Sequence, residues 1–171
     1  MSKLIRVIEA LTNITGHFSA WLVIIMMALV LFEVFMRYAL NKPPAIADEL
    51  SAYMLVVLAF GGTAYCFMVK GHMRVAALTE NLPAKVSNWL RVATLAAVFI
   101  YALVLSKASF GYLGYSFKVG MKSTSWLRVP LQIPQMALPI GFILLALMLL
   151  ITLIKTVMDI RAGKDIEVKV R

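Results

Sequence analysis

ALTNITGHFSAWLVIIMMALVLF, residues 10–32, runs without a charged side chain. A helix rising about 1.5 Å per residue needs roughly 20 apolar residues to cross a hydrocarbon core of about 30 Å, and this stretch meets that length. It decides the fold because it is repeated. Leu50–Val69 and Val129–Ile154 are equally free of charge, and Val92–Ser106 is a shorter run of the same kind. The short run reaches span length only if Lys107 is accommodated within the helix, its ammonium extended toward the interface or paired. The pattern predicts an all-α integral membrane protein with four transmembrane helices, over roughly 16–38, 48–69, 91–115 and 134–156.

Size supports a single membrane domain over 1–171: once four spans are removed from a chain that is 62% hydrophobic, no segment remains that buries a separate soluble core. The formal net charge of +9 would suit nucleic acid, but the basic residues sit at span ends rather than along one stripe, which fits membrane orientation instead. No nucleic-acid partner is expected. Cys66 is the only cysteine and lies inside the second apolar run, so an intramolecular disulfide is excluded. The N-terminal apolar run is too long for a signal peptide and has no convincing small-residue cleavage site, and it reads as a retained first span.

Orientation follows from the Lys and Arg residues. With the N-terminus inside, Lys3, Arg6, Lys70, Arg74, Lys85, Arg91, Lys155, Arg161, Lys164, Lys169 and Arg171 face the cytoplasm, eleven against the six of Arg37, Lys42, Lys107, Lys118, Lys122 and Arg128. The excess predicts that both termini are cytoplasmic.

Two short amphipathic segments flank the spans. Residues 2–12 place Leu4, Ile8 and Leu11 on one face, and residues 82–91 alternate Val86, Trp89 and Leu90 with Lys85, Asn88 and Arg91. Both patterns predict helices lying in the membrane interface, with Trp89 as an anchor at headgroup depth. Trp126, in the polar loop before the last span, is a second candidate anchor. Pro43 and Pro44 end the first helix, and Asp48 and Glu49 occupy the first turn of the second, where the exposed amides of a helix N-terminus favour negative charge. These two acids are candidates for helix capping or for docking on the outer face. Pro134 and Pro139 predict an irregular outer end to the last span. No internal repeat suggests the inverted halves from which a small transporter builds its own substrate site.

Few residues are placed to do chemistry. Glu33 and Arg37 stand one turn apart in the outer part of the first span, a spacing that allows pairing. They are open to three readings: a self-neutralising pair, a contact with another subunit, or a proton or substrate site. A lone carboxylate in the first of four helices is also the device of small proton-coupled exporters, but a cation one turn away favours the ionised form and disfavours proton coupling. His17 and His72 both fall near the cytoplasmic surface, where two imidazoles would suit a b-type haem in a respiratory anchor; a helix-end or headgroup contact is the simpler reading of His72, beside Arg74. Cysteine pairs for zinc, phosphate loops and catalytic triads are absent, so no catalytic, metal or cofactor residue is assigned.

Taken in order, Phe35-Met36-Arg37-Tyr38, then Pro44-Ala45-Ile46-Ala47-Asp48-Glu49-Leu50-Ser51, then Gly71-His72-Met73-Arg74-Val75 followed by Leu82-Pro83, the motifs and the four-span layout resemble the DctQ-like small permease family of tripartite ATP-independent periplasmic (TRAP) transporters. Ile46 stands where that family commonly has tryptophan, and Ala76 where an aspartate often follows. The resemblance implies a non-catalytic scaffold in the bacterial cytoplasmic (inner) membrane. Its partners would be a large DctM-like membrane subunit that carries sodium and an organic acid, a periplasmic substrate-binding protein, and membrane lipids. Glu33, Arg37 and Lys107 are candidates for intramembrane or partner contacts, Asp48 and Glu49 for docking or helix capping on the outer face, and His72 and Arg74 for contacts on the inner face.

Overall fold

The computed structural model describes residues 2–41, 46–69, 84–125 and 127–161. Their secondary structure is helical apart from one isolated bridge between Lys122 and Pro130. The helices are α1 (Ser2–Ala39), α2 (Ala47–Met68), α3 (Ala84–Val119), the single turn α4 (Gln132–Gln135) and α5 (Ala137–Arg161). Four stretches are long and apolar enough to cross a membrane, Ile5–Ala39, Ala47–Met68, Val86–Val119 and Gln132–Arg161.

The two amphipathic segments differ from expectation. Residues 2–12 do not form a helix separate from the first span: α1 is one helix of 38 residues, about 57 Å long. No proline interrupts it, and Gly16, which would otherwise weaken the helix, is needed for packing, since a Cβ there would stand 2.2 Å from Cγ of Tyr65. Even at a tilt of about 40° such a helix exceeds a core of about 30 Å, so one end must extend beyond the hydrocarbon. The described part of the 82–91 segment is likewise the first turns of α3, a helix of 36 residues. Trp89 lies there, strongly exposed.

Helix ends follow local chemistry. Asn41, at φ 51°, leaves α1 through the left-handed region that asparagine tolerates. Gly120, at φ 63°, closes α3 in a Schellman turn, with the Met121 N–H donating to the Ser116 carbonyl at 3.2 Å. Pro134 falls in the short α4 and Pro139 in the first turn of α5, where a missing N–H costs nothing, so the N-terminal end of the last span is broken as its prolines predict.

The four long helices form a row in the order α1, α2, α5, α3, each packing mainly on its neighbour. α5, which has the highest mean hydropathy of the spans, is also the most buried. Ile8, Ala64, Met148 and Ile151 form one core cluster across α1, α2 and α5; Ala102, Ala146 and Leu149 form another between α3 and α5. Because lipid is as apolar as leucine, such contacts depend on close van der Waals fit and on small residues that let backbones approach. Gly141 is the clearest instance: a Cβ there would lie 2.2 Å from the Phe60 carbonyl oxygen, at the crossing of α2 and α5. Gly61 is less tightly placed, since a Cβ there would lie 3.3 Å from the Ser19 hydroxyl of α1.

Candidate functional site

The polar groups concentrate where α1 ends, α2 begins and the loop before α4 passes over them. α2 starts without a capping side chain of its own, because Ile46 occupies the N-cap. Glu33 supplies the missing acceptor from α1. One oxygen, Oε2, accepts the Ala47 backbone N–H at 2.7 Å, and the other accepts Nη2 of Arg37 at 2.8 Å. Glu33 is only 4% exposed, so its bond to the Ala47 amide forms away from competing water, and a charge-assisted bond of that kind is worth about 1.5 to 3 kcal/mol in general. Of the three readings open for Glu33, the arrangement adds a fourth element: a cap that fixes the α1–α2 corner.

Arg37 completes the pair while half of its side chain stays exposed, so most of its N–H donors point away from Glu33. Asp48 is exposed at the start of α2, and Glu49 is held inward. The hydroxyls of Tyr53 and Ser125 both donate to Glu49. Ser125 belongs to the loop 120–131, which is closed by Ser123 N–H to Val129 O at 2.9 Å and Leu131 N–H to Met121 O at 3.1 Å. Gln132 Nε2 donates to the Ser116 carbonyl at 3.2 Å, tying the loop to the end of α3. Glu49 therefore secures the loop to α2, and Asp48 keeps its carboxylate on the surface.

The opposite ends of the helices carry a second ion pair, Lys155 Nζ to Glu9 Oε1 at 3.2 Å, between α5 and α1. Its exposure limits it to about 0 to 1 kcal/mol. His17 Nδ1 lies 2.8 Å from the Asn13 carbonyl, and the ring meets Tyr65 edge-on. Lys107 is exposed on α3 and pairs with no described residue. His72, Arg74 and Trp126 lie outside the described residues. Among the described residues, no group of three or more His, Cys, Asp or Glu side chains is arranged to hold a metal ion. A cleft of about 440 Å³ between α1 and α2, lined by Gly16, Ser19, Ala59, Gly62, Tyr65 and Cys66, is open along one side and almost wholly apolar.

Sequence reasoning missed the second partner of Glu33 and the grip of Ser125 and Tyr53 on Glu49. The first left a signal: a helix opened by Ile46, which has no side-chain acceptor, needs one from elsewhere. The second left none, since Ser125 lies 76 residues from Glu49.

Four helices long and apolar enough to cross a membrane define a multi-pass membrane protein. The family model described as "Tripartite ATP-independent periplasmic transporters, DctQ component" matches residues 26–159, and the chain belongs to that family. It is thus the small membrane component of a TRAP transporter. No curated protein matches the chain.

Proposed function

We propose that this chain is the non-catalytic scaffold, or stator, of a sodium-coupled TRAP transporter that imports an organic acid of the C4-dicarboxylate or sialic acid class. In this reading a periplasmic binding protein delivers the solute and a large DctM-like subunit carries solute and sodium through the bacterial inner membrane. The small subunit gives the large one a fixed footing, with both termini cytoplasmic.

The observation that carries the reading is the row α1, α2, α5, α3. A row has two broad faces and no enclosed centre, so it offers length of contact rather than a chamber for a hydrated anion. Its buried carboxylate, Glu33, is already engaged by a backbone amide and a guanidinium, so both of its oxygens serve the α1–α2 corner. The long α1 and α3 add a further element. Each exceeds the bilayer, and ends held in the headgroups resist displacement along the membrane normal.

Reconstitution tests this. Proteoliposomes holding the chain with its large subunit, supplied with binding protein and a sodium gradient, are expected to accumulate labelled organic acid; the small chain alone is expected to accumulate none. Uptake by the small chain alone would refute the scaffold assignment.

A further inference from the structure

α3 presents two different stripes. One, containing Ala102, Ser106, Ser109 and Ser116, is buried, and Ala102 packs on Ala146 and Leu149 of α5. The other contains Lys107, Gly111, Gly114 and Lys118, whose spacings of four, three and four residues place them on one face, turned well away from α5. A Cβ added at Gly111 or Gly114 would meet nothing within 4 Å. Phe110 and Tyr115, both exposed, stand on either side. The result is a shallow channel along α3, walled by aromatic rings, with a cation at each end.

The depth of Lys107 identifies what belongs there. Lys107 lies within the span Val86–Val119, 12 residues and so about 18 Å along the helix from Val119. The Cα–Cβ bonds of a helix tilt toward its N-terminus, which for α3 is the direction of the bilayer centre, so the side chain sets out the wrong way to reach the headgroups. A lysine inside a span is costly unless paired, and each glycine weakens the helix relative to alanine. Neither cost is offset by a contact among the described residues.

Lipid does not supply the return: acyl chains need no side-chain-free channel, and an anionic headgroup lies shallower than Lys107. A second copy does not supply it either, because its matching face carries the same two cations. The acid of this chain nearest in kind, Glu33, is buried and already bonded twice. We propose that the Lys107–Gly111–Gly114–Lys118 face of α3 is the docking surface for a transmembrane helix of the large subunit, one that carries an aspartate or glutamate at the depth of Lys107. The partner's identity as the large subunit rests on the scaffold reading above; the chemistry required of its helix does not.

The complex of the two membrane subunits, co-expressed and extracted in mild detergent, provides the test. A photo-crosslinking residue at Val104 or Tyr115, which flank the channel, is expected to join the chain to the large subunit. Lys107→Glu is expected to lower co-purification at least about tenfold, with recovery when the facing acid of the large subunit is changed to lysine. Lys107→Met is expected to weaken the complex while leaving thermal unfolding of the isolated chain no lower than wild type, since Lys107 has no partner among the described residues. Wild-type yields of complex for both Lys107 variants, or crosslinks to lipid or to a second copy alone, would overturn the docking surface and leave the scaffold reading standing. A wild-type chain that fails to co-purify with the large subunit would overturn both.

Discussion

Glu33→Ala is the substitution that most directly probes how the chain is held together. It removes the acceptor of the Ala47 N–H and the counter-charge of Arg37 at once, so its cost is built from two contributions. Loss of a helix N-cap costs about 0.5 to 2 kcal/mol, and loss of a negative charge beside a partly buried N-terminus adds about 0.3 to 1 kcal/mol. The ion pair with Arg37 adds little, because that side chain is 53% exposed and exposed pairs are worth about 0 to 1 kcal/mol. Glu33→Ala is therefore expected to destabilise the chain by about 1 to 3 kcal/mol. Glu33→Gln keeps a neutral acceptor for the amide and should cost about half of that, while Arg37→Gln should cost under about 1 kcal/mol. Thermal or denaturant unfolding of the purified subunit in detergent, followed by circular dichroism, gives the three values. The reasoning fails if Glu33→Ala is as stable as wild type. It fails equally if Arg37→Gln costs as much as Glu33→Ala, for then the ion pair rather than the cap holds the corner.

Three further outcomes are expected. Gly141→Ala places a methyl group against the backbone of Phe60, which cannot yield as a flexible side chain would, so unfolding should show a loss of about 1 to 3 kcal/mol and cysteine pairs across α2 and α5 should crosslink less readily. Ser125→Ala removes a donor to Glu49 and should raise hydrogen exchange of loop amides 121–131 without altering exchange in the centre of α2; an unchanged loop would show that Ser125 does not secure it. Lys155→Glu should change stability by no more than about 1 kcal/mol, the range of exposed ion pairs, with the Glu9→Lys partner change recovering what is lost in the double-mutant cycle.

Much of this architecture is legible in the sequence because the bilayer leaves so few solutions. A charge-free run such as 129–154 must be a helix, since no other single segment satisfies its backbone polar groups in hydrocarbon. The broken N-terminal end of the last span was equally readable from Pro134 and Pro139, because proline acts on its own backbone. Continuity was not. Residues 2–12 have the periodicity of an interfacial helix, but periodicity describes a face and says nothing of where a helix stops; with no breaker before Phe18, α1 runs on. Lateral order was harder still. That α5 lies between α2 and α3 follows from Gly141 fitting beneath Phe60 and Ala102 fitting between Ala146 and Leu149, matches between distant segments that no local pattern announces. At the outer corner, the i,i+4 spacing disclosed the Glu33–Arg37 pair, whereas the bond from Glu33 to Ala47 spans a loop whose course the sequence does not specify.

The row order also makes its two ends unequal. α1 closes one end with Phe18, Trp21, Ile24, Leu31 and Phe32 exposed and no charge between Ala10 and Phe32, a surface that lipid covers without penalty. α3 closes the other with Lys107 and two open glycines, features that lipid penalises or leaves unused. The middle pair, α2 and α5, is locked by Gly141 against a backbone oxygen, and the cap that Glu33 places on α2 ties that pair to α1. Backbone meets backbone closely only at Gly141 and Phe60, whereas α3 meets α5 through the small side chains of Ala102 and Ala146 beside Leu149, so the two joints differ in how much a substitution can be absorbed.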